Sequence, residues 1–297
     1  MTRPHGLLRA GYPYLKTLGM RRITNFPTDI AFGKDDTAYI LCRSEGITLI
    51  RVWPLQDMEQ QTDDLKQIGG YGSGDGQFIW PVQIITNGDG SLYVSDEATH
   101  RITRFSQDGE FLGKWGVEGA ARGELNGPTG IAFDGDGDGN MVVVDSRNHR
   151  VQRFTADGKY LDGFGSHGSE PGQFNLPWGV HVDELGDIYV ADWGNDRVQM
   201  FNAEGHYVWS FRGNASLSRV ARSYMLTNAV SNRLREIGRL EQEQYLRRPR
   251  SVRVDDEFRL FIADYESYRI QVYQKDAIPL DDTQFAAPLR NPTLEVT

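Results

Sequence analysis

A repeated spacing of proline, aspartate and arginine constrains this chain more than any other feature of its sequence. Five prolines open successive segments. An aspartate follows after fifteen residues in three segments and after seventeen in the third, whereas the first has Cys42 there. An arginine follows each aspartate after five residues. The prolines are Pro27, Pro81, Pro128, Pro177 and Pro249. Such self-similarity predicts an architecture of stacked repeats.

The clearest copy of the repeat, Gly172–Gly213, contains four short apolar runs separated by turns rich in Gly, Asn and Asp. Runs of four to six residues rich in Val, Ile, Tyr and Phe predict strands. Tight turns between them predict antiparallel pairing. The runs are Trp178–Val182, Ile188–Asp192, Arg197–Asn202 and Tyr207–Phe211. The sequence therefore predicts one four-stranded sheet per repeat.

The units resemble NHL repeats over roughly residues 27–275. The resemblance is carried by the Pro, Asp and Arg spacing and by the turns GDGQF, RGELN and PGQFN ahead of three units. It implies an all-β fold: a single β-propeller domain over residues 1–297, with four-stranded blades around a central channel. Counting gives five blades, and six, usual in the family, is the alternative. The blades are expected at about 22–71, 76–116, 123–165, 172–213, and 248–275 completed by 12–19.

The fifth unit contains only three strands, so its outer strand must come from elsewhere. The N-terminal segment Tyr14–Gly19 resembles the outer strands Phe111–Gly116 and Tyr160–Gly165. We therefore expect the N-terminal strand to close the ring, because a blade needs a neighbour on both faces. The tail 276–297 has no periodicity and is expected to be an irregular strap.

A long insertion interrupts the repeat at about 214–247. Its apolar residues recur at three- and four-residue steps, which predicts amphipathic helices. Between Arg219 and Arg250 it has eight arginines and three glutamates. We interpret it as a basic docking segment. Its expected binding residues are Val230, Leu234, Ile237, Arg233, Arg235 and Arg239.

Composition narrows the class of partner. The net charge of −9 argues against nucleic acid as the main partner, because an acidic body repels phosphates. No apolar run approaches the roughly 20 residues of a membrane span, and the N-terminus lacks the pattern of a secretion signal. The single cysteine, Cys42, fits a reducing compartment. We therefore expect a cytoplasmic protein that binds a protein partner or a second copy of itself.

The recurring Asp and Arg residues flank the same tight turn in each repeat. We interpret them as structural ion pairs, since a catalytic site would not need four copies. In the first unit Cys42 and Ile47 replace both members, as expected if the charges depend on each other. The predicted pairs are Asp96/Arg101, Asp145/Arg150, Asp192/Arg197 and Asp264/Arg269.

One loop could hold a metal. Alternation of aspartate and glycine lets several carboxylates converge on Ca²⁺. The plainer alternative is an acidic hairpin two residues longer than the others, and otherwise we expect no cofactor. The candidate ligands are Asp134, Asp136, Asp138 and Asn140.

The NHL resemblance also raises the possibility of a zinc lyase, whose histidines directly follow the blade prolines. Here those positions hold Thr28, Val82, Thr129, Trp178 and Arg250, so no imidazole is available there. Polar residues on the innermost strands remain weak candidates for a catalytic site in the channel. They are Asp29, Gln83, His181 and Arg253.

Three functions are compatible with this sequence. The leading hypothesis is a non-catalytic scaffold that docks a protein through its loop face and the basic insertion, with Trp178 and Trp193 contributing to the binding face. The first alternative is a lyase or hydrolase with a site in the channel. The second is an RNA-binding NHL propeller, with arginines between 219 and 253 forming one positive face.

Overall fold

The computed structural model of the protein describes residues 26–34, 36–44, 47–55, 66–135, 139–215 and 244–275. These residues form five antiparallel sheets whose strands follow one another in chain order. The prediction of an all-β propeller with five blades is confirmed. Within the described ranges, no helix is long and apolar enough to cross a membrane.

Each blade is a meander that runs from the channel outward. The first blade consists of β1 (Pro27–Phe32), β2 (Thr37–Ser44), β3 (Ile47–Pro54) and β4 (Gln67–Ile68). The second consists of β5 (Pro81–Thr86), β6 (Leu92–Asp96), β7 (Arg101–Phe105) and β8 (Phe111–Trp115). The third consists of β9 (Pro128–Phe133), β10 (Met141–Asp145), β11 (Arg150–Phe154) and β12 (Tyr160–Phe164).

The last two blades continue the order. The fourth consists of β13 (Val180–Val182), β14 (Ile188–Asp192), β15 (Arg197–Phe201) and β16 (Tyr207–Phe211). The fifth consists of β17 (Pro249–Val254), β18 (Arg259–Asp264) and β19 (Arg269–Gln274). Its predicted fourth strand, Tyr14–Gly19, lies outside the described residues, as does the C-terminal strap from 276.

Apolar residues from facing blades form the core between them. Alternate residues of a strand point to opposite faces, so each inner strand directs one row of side chains toward a neighbouring blade. Inner-strand residues that are almost completely buried lie three positions after the blade proline: Ile84, Ile131, Val180 and Val252. Packing at these positions stabilises the stack of blades.

Three of the four predicted Asp and Arg pairs form direct ion pairs. The Nε–Oδ2 distances are 2.8 Å for Arg150–Asp145, 2.8 Å for Arg197–Asp192 and 2.7 Å for Arg269–Asp264. In each blade a glutamine two residues after the arginine donates to the same carboxylate. These buried charges are therefore both paired and hydrogen-bonded, which offsets the cost of their desolvation. The glutamines are Gln152, Gln199 and Gln271.

The predicted pair in the second blade is wrong. Asp96 and Arg101 lie opposite each other, but the Asp96 carboxylate accepts backbone N–H groups, among them those of Ile79 and Trp80. The Arg101 guanidinium donates to backbone carbonyls, and its Nε has no partner. The difference coincides with Thr103, which occupies the glutamine position and whose buried hydroxyl has no hydrogen-bond partner.

The first blade also differs from the expectation. Cys42 lies opposite Leu49 rather than Ile47, because β2 and β3 continue two residues further and close at Ser44 and Ile47. The joint replacement of the two charges therefore reflects a longer hairpin in this blade, and Ile47 is not the structural counterpart of the repeat arginine.

A hydrogen bond between a side chain and a backbone N–H group joins successive blades. In blades 2, 3 and 4, the residue before the repeat arginine has a left-handed backbone, with φ of 54° at His100, His149 and Asp196. Its side chain accepts the N–H group of the residue that precedes the next blade proline. This bond fixes one blade against the next at the ends of the strands. The donors are Gly127, Leu176 and Arg248.

The two described ends of the insertion lie side by side. The Leu246 N–H group donates to the Arg212 carbonyl, and the Ala215 N–H group donates to the Gln244 carbonyl. The helices are predicted over about 214–247; all of their expected binding residues, and 216–243 as a whole, lie outside the described residues. The insertion therefore leaves and re-enters the fold at one point, between β16 and β17.

Candidate functional site at the channel mouth

The two faces of the ring carry different connections. The loop face is defined here as the face where the blade prolines, the turns between second and third strands, and the links between blades lie. The opposite face carries the hairpins between first and second and between third and fourth strands. Because strands alternate in direction, every blade presents the same kinds of residue on each face.

A cavity of about 660 Å³ opens at the loop face, and all five blades line it. Its lining contains three arginines, Arg43, Arg250 and Arg253, and one carboxylate, Asp29. Aromatic side chains, including Trp80, Trp178 and Tyr265, form much of the remaining wall. A cavity of this size with a few convergent polar groups is typical of a ligand or peptide site. We refer to it as the channel mouth.

Arginines stack on tryptophans from neighbouring blades at the loop face. The Arg43 guanidinium lies 4.4 Å from the centre of the Trp80 ring, and the Arg248 guanidinium lies 4.4 Å from the Trp193 ring. In both pairs, one member directly follows the repeat aspartate, or Cys42 in blade 1, and the other directly precedes the next blade proline. The arginine and the aromatic ring have exchanged places between the two pairs, so the contact is kept although the residues differ.

Arg250 stacks on two rings. Its guanidinium lies 4.6 Å from the Trp178 ring and 5.1 Å from the Tyr265 ring. Among the described residues, no carboxylate lies within ion-pair distance of Arg43 or Arg250; Arg43 donates a long hydrogen bond of 3.3 Å to the Pro81 carbonyl. Both guanidinium groups therefore retain N–H donors for a ligand.

Glu97 lies beside these arginines. Burial raises the pKa of the Glu97 carboxyl, although Arg147 and Arg43 act in the opposite direction. The Glu97–Arg147 separation is 3.9 Å, so this carboxylate already has a cationic neighbour. Burial also lowers the pKa of Arg43, and repulsion from Arg250 contributes to that shift. The Glu97 carboxylate opposes this shift, so it offsets positive charge beside the channel mouth, although it does not line the cavity.

The polar residues of the inner strands bond to the next blade. The Asp29 carboxylate accepts the Ile84 N–H group at 3.0 Å, and the Gln83 side chain accepts the Ile131 N–H group at 2.8 Å. Burial raises the pKa of Asp29, opposed by this backbone bond and by Arg253. Asp29 and Gln83 therefore join blades 1, 2 and 3 across the channel wall.

His181 and Arg253 lie deeper in the channel wall. Burial, together with repulsion from Arg253, lowers the pKa of His181 to about 4, so the imidazole is neutral near pH 7. The Arg253 guanidinium donates to the Val252 carbonyl at 2.8 Å and lies 3.4 Å from the Val180 carbonyl. A base with so low a pKa is poorly matched to proton transfer at neutral pH.

The acidic loop is on the opposite face. The Asp134 N–H group donates to the Asn140 carbonyl, which closes this hairpin, whereas Asp136 and Asp138 lie outside the described residues. In the part of the chain that the structure describes, no group of three His, Cys, Asp or Glu residues could hold a metal ion. The calcium site stays a prediction.

Charges near blade 4 on the opposite face are matched locally. The Lys275 ammonium lies 2.7 Å from the Asp183 carboxylate and 2.5 Å from the Asp187 carboxylate. The Tyr189 hydroxyl donates to the same Asp183 carboxylate at 3.1 Å. This cluster joins the fourth and fifth blades and leaves fewer unmatched groups than the channel mouth does.

Sequence reasoning named Trp178 and Trp193 but not the stacking of Arg250 and Arg248 on them, nor three other aromatic and arginine residues of this face. Arg43, Trp80 and Tyr265 belong to positions that change between repeats, so no repeated residue type marked them. An alignment of the repeats contains the signal. The position directly after the repeat aspartate, or after Cys42 in blade 1, is an arginine in blade 1 and an aromatic residue in blades 4 and 5. Comparison of this position with the residue before the next blade proline would have predicted the pairs Arg43–Trp80 and Trp193–Arg248.

Comparison with known proteins identifies the repeat. The NHL repeat family matches residues 125–154 and 174–201, within the third and fourth blades. The "RING finger protein nhl-1" of Caenorhabditis elegans is 34% identical over 64 residues, which are 22% of this chain and 7% of that protein. The match thus covers only a small part of that relative.

Solved structures share the architecture. A protein of unknown function from Bacteroides thetaiotaomicron aligns with a TM-score of 0.57 and 19% identity, over 82% of this chain and 58% of that one. A chain of the nidogen/laminin complex aligns with a TM-score of 0.53 and 16% identity, over 84% of this chain and 75% of that one. Inactive virginiamycin B lyase from Staphylococcus aureus, solved with quinupristin, aligns with a TM-score of 0.52 and 11% identity, over 88% of this chain and 85% of that one. At these identities the likeness is one of fold.

Proposed function

Because the chain is an NHL-repeat β-propeller protein, we propose that it is a non-catalytic binding module that docks a protein partner on its loop face. The observation that carries the proposal is the set of aromatic and arginine side chains around the channel mouth. Tyrosine, tryptophan and arginine are the residues enriched at the energetic centres of protein interfaces. Here they are already held in place by stacking across blade junctions.

The exposure of these rings supports docking. Trp80 is 40% exposed and Tyr265 is 56% exposed, although both rings are in contact with an arginine. Rigid rings of this kind lose little conformational entropy when a partner covers them. The two ends of the insertion emerge on the same face, next to Asp196. A partner that covers the channel mouth and extends along this face would also reach these two described ends of the insertion.

The polar residues of the channel favour binding over catalysis in this proposal. Asp29 and Gln83 use their side-chain oxygens to hold the next blade, and Arg253 donates to a backbone carbonyl. Groups committed to such bonds cannot be moved toward a reacting atom without loosening the ring. The enzyme alternative has the propeller fold in its favour, and fold alone does not assign an activity.

Partner capture with matched variants tests the proposal. Full-length protein is immobilised, and proteins retained from the native host are identified by mass spectrometry. We expect Trp80→Ala combined with Tyr265→Ala to lose the specific partner at least about tenfold, as for central interface residues. The control is Leu185→Ala, an equally exposed apolar residue on the opposite face. If the double variant captures the same proteins to the same extent, loop-face docking is wrong.

A further inference from the structure

We propose that the channel mouth recognises a carboxylate group that lies next to an apolar side chain in the partner protein, and that Arg43 and Arg250 bind this carboxylate. The inference rests on the proposed function and specifies the chemistry of the bound segment.

The guanidinium groups have the geometry that carboxylate recognition requires. Each lies within 4.4 to 4.6 Å of a tryptophan ring, which restricts its orientation before a ligand arrives. A stacked guanidinium keeps its N–H groups at its edge, where a planar carboxylate can accept two hydrogen bonds. Arg250 donates no hydrogen bond to a described residue, and Arg43 donates one long one.

The local charge also favours an anion. The lining contains three arginines and one carboxylate, although the whole chain has a net charge of −9. Repulsion between Arg43 and Arg250 is relieved when an anion lies between or beside them. Glu97 acts on Arg43 more strongly than Arg250 does, but it is shared with Arg147 at 3.9 Å and does not line the cavity, where a ligand carboxylate would lie. A cationic mouth on an acidic body selects an acidic segment by steering it to this point.

The walls of the cavity specify what accompanies the carboxylate. Phe26, Trp80, Val82 and Trp178 present apolar surface around the two guanidinium groups. Burying an adjacent leucine or phenylalanine of the partner against them would add to affinity. A polyphosphate chain gains nothing from such walls and is repelled by the acidic body. A peptide with a carboxylate beside an apolar residue therefore fits best.

Calorimetry with a pair of capped peptides tests the inference. The probe is acetyl-Phe-Glu-Leu-amide, and its isosteric reference is acetyl-Phe-Gln-Leu-amide. We expect the glutamate peptide to bind at least about tenfold more tightly, since a hydrogen bond to a charged group contributes more than a neutral one. Raising the salt concentration from about 50 mM to about 500 mM should reduce this preference, because exposed charges are screened.

Three variants separate recognition from blade packing. Arg43→Gln and Arg250→Gln should abolish the preference for the glutamate peptide. Arg248→Gln is the matched control: it removes an arginine stacked on a tryptophan at the same distance, but Arg248 does not line the channel mouth. It should retain the preference. If Arg248→Gln loses the preference as well, the arginines act only through blade packing and the inference is wrong.

Other outcomes also decide the matter. Equal affinity for the two peptides would overturn carboxylate recognition, and so would displacement of the glutamate peptide by inorganic phosphate at a lower concentration than acetate. The partner capture described above is an independent readout. If the Trp80 and Tyr265 double variant loses its partner but Arg43→Gln and Arg250→Gln keep it, docking stands and carboxylate recognition fails.

Discussion

The junction between blades 4 and 5 and the seam between blades 5 and 1 use the same sequence positions but cover very different amounts of apolar surface. Val198 in β15 is fully buried, whereas its counterpart Ile270 in β19 is 64% exposed. Val252 in β17 is fully buried, whereas its counterpart Ile30 in β1 is 43% exposed. Repetition of sequence therefore produces equivalent strands, but their side chains are buried to very different extents.

The hydrogen bond that joins successive blades shows the same contrast. At the junction of blades 4 and 5, Asp196 accepts the Arg248 N–H group at 2.7 Å. At the seam, the corresponding residue is Tyr268, which keeps the left-handed backbone but is 96% exposed. The left-handed turn therefore belongs to the blade itself, and the bond to the next blade is a separate feature. We expect the junctions that contain this bond to be the rigid support of the channel mouth.

The largest predicted effect comes from charging the two equivalent core positions. Val198→Asp should lower the free energy of unfolding by at least about 4 kcal/mol, because it buries an unpaired carboxylate. Ile270→Asp should change it by less than about 0.5 kcal/mol, since the side chain is largely in water. Chemical denaturation measures both. If Ile270→Asp is as destabilising as Val198→Asp, the seam is covered, and deletion of residues 1–20 then tests whether the N-terminal segment covers it.

The contribution of an ion pair to the free energy of unfolding should likewise be larger in blade 4 than in blade 5. Arg197 is 1% exposed and binds Asp192 and three carbonyls, so Arg197→Ala should cost on the order of 3 kcal/mol. Arg269→Ala should cost less, on the order of 1 kcal/mol, because its side chain is 28% exposed and binds fewer carbonyls. Equal losses in denaturation experiments would show that burial does not set the contribution of these pairs.

A smaller and pH-dependent effect is expected from Glu97. Its pKa in the folded protein is raised by burial, so the folded state binds the proton more readily than the unfolded chain does. The stability from this protonation is present below the usual glutamate pKa and is lost as pH rises through the raised value. Glu97→Gln should therefore be more stable than the parent at pH 7, with the difference narrowing toward pH 4. A difference that grows on acidification would contradict the sign.

The sequence predicted the parts of this structure that repeat. The proline spacing marked all five blades and the Asp/Arg spacing four of them, because each repeat must form the same sheet before it can stack. The prediction of four identical pairs failed in the blade that has Thr103 in place of the glutamine, where the Asp96 carboxylate accepts backbone N–H groups and makes no ion pair with Arg101. The channel mouth was only partly predictable, since its side chains come from variable positions in five blades. Trp178 was identified, whereas Arg43 became significant only when the fold placed it over Trp80.

The most direct test of the account is ¹⁹F NMR of the full-length protein labelled with 5-fluorotryptophan, which reports each of its six tryptophans separately. Titration with acetyl-Phe-Glu-Leu-amide should shift the resonances of Trp80 and Trp178, which line the channel mouth. The resonances of Trp53, Trp115 and Trp209, which lie in other parts of the blades, should remain in place. The glutamine peptide should cause smaller shifts at the same concentration. Shifts confined to Trp209 or Trp53, or no shift at Trp80 and Trp178 while the peptide binds, would contradict the assignment of the loop face as the binding site.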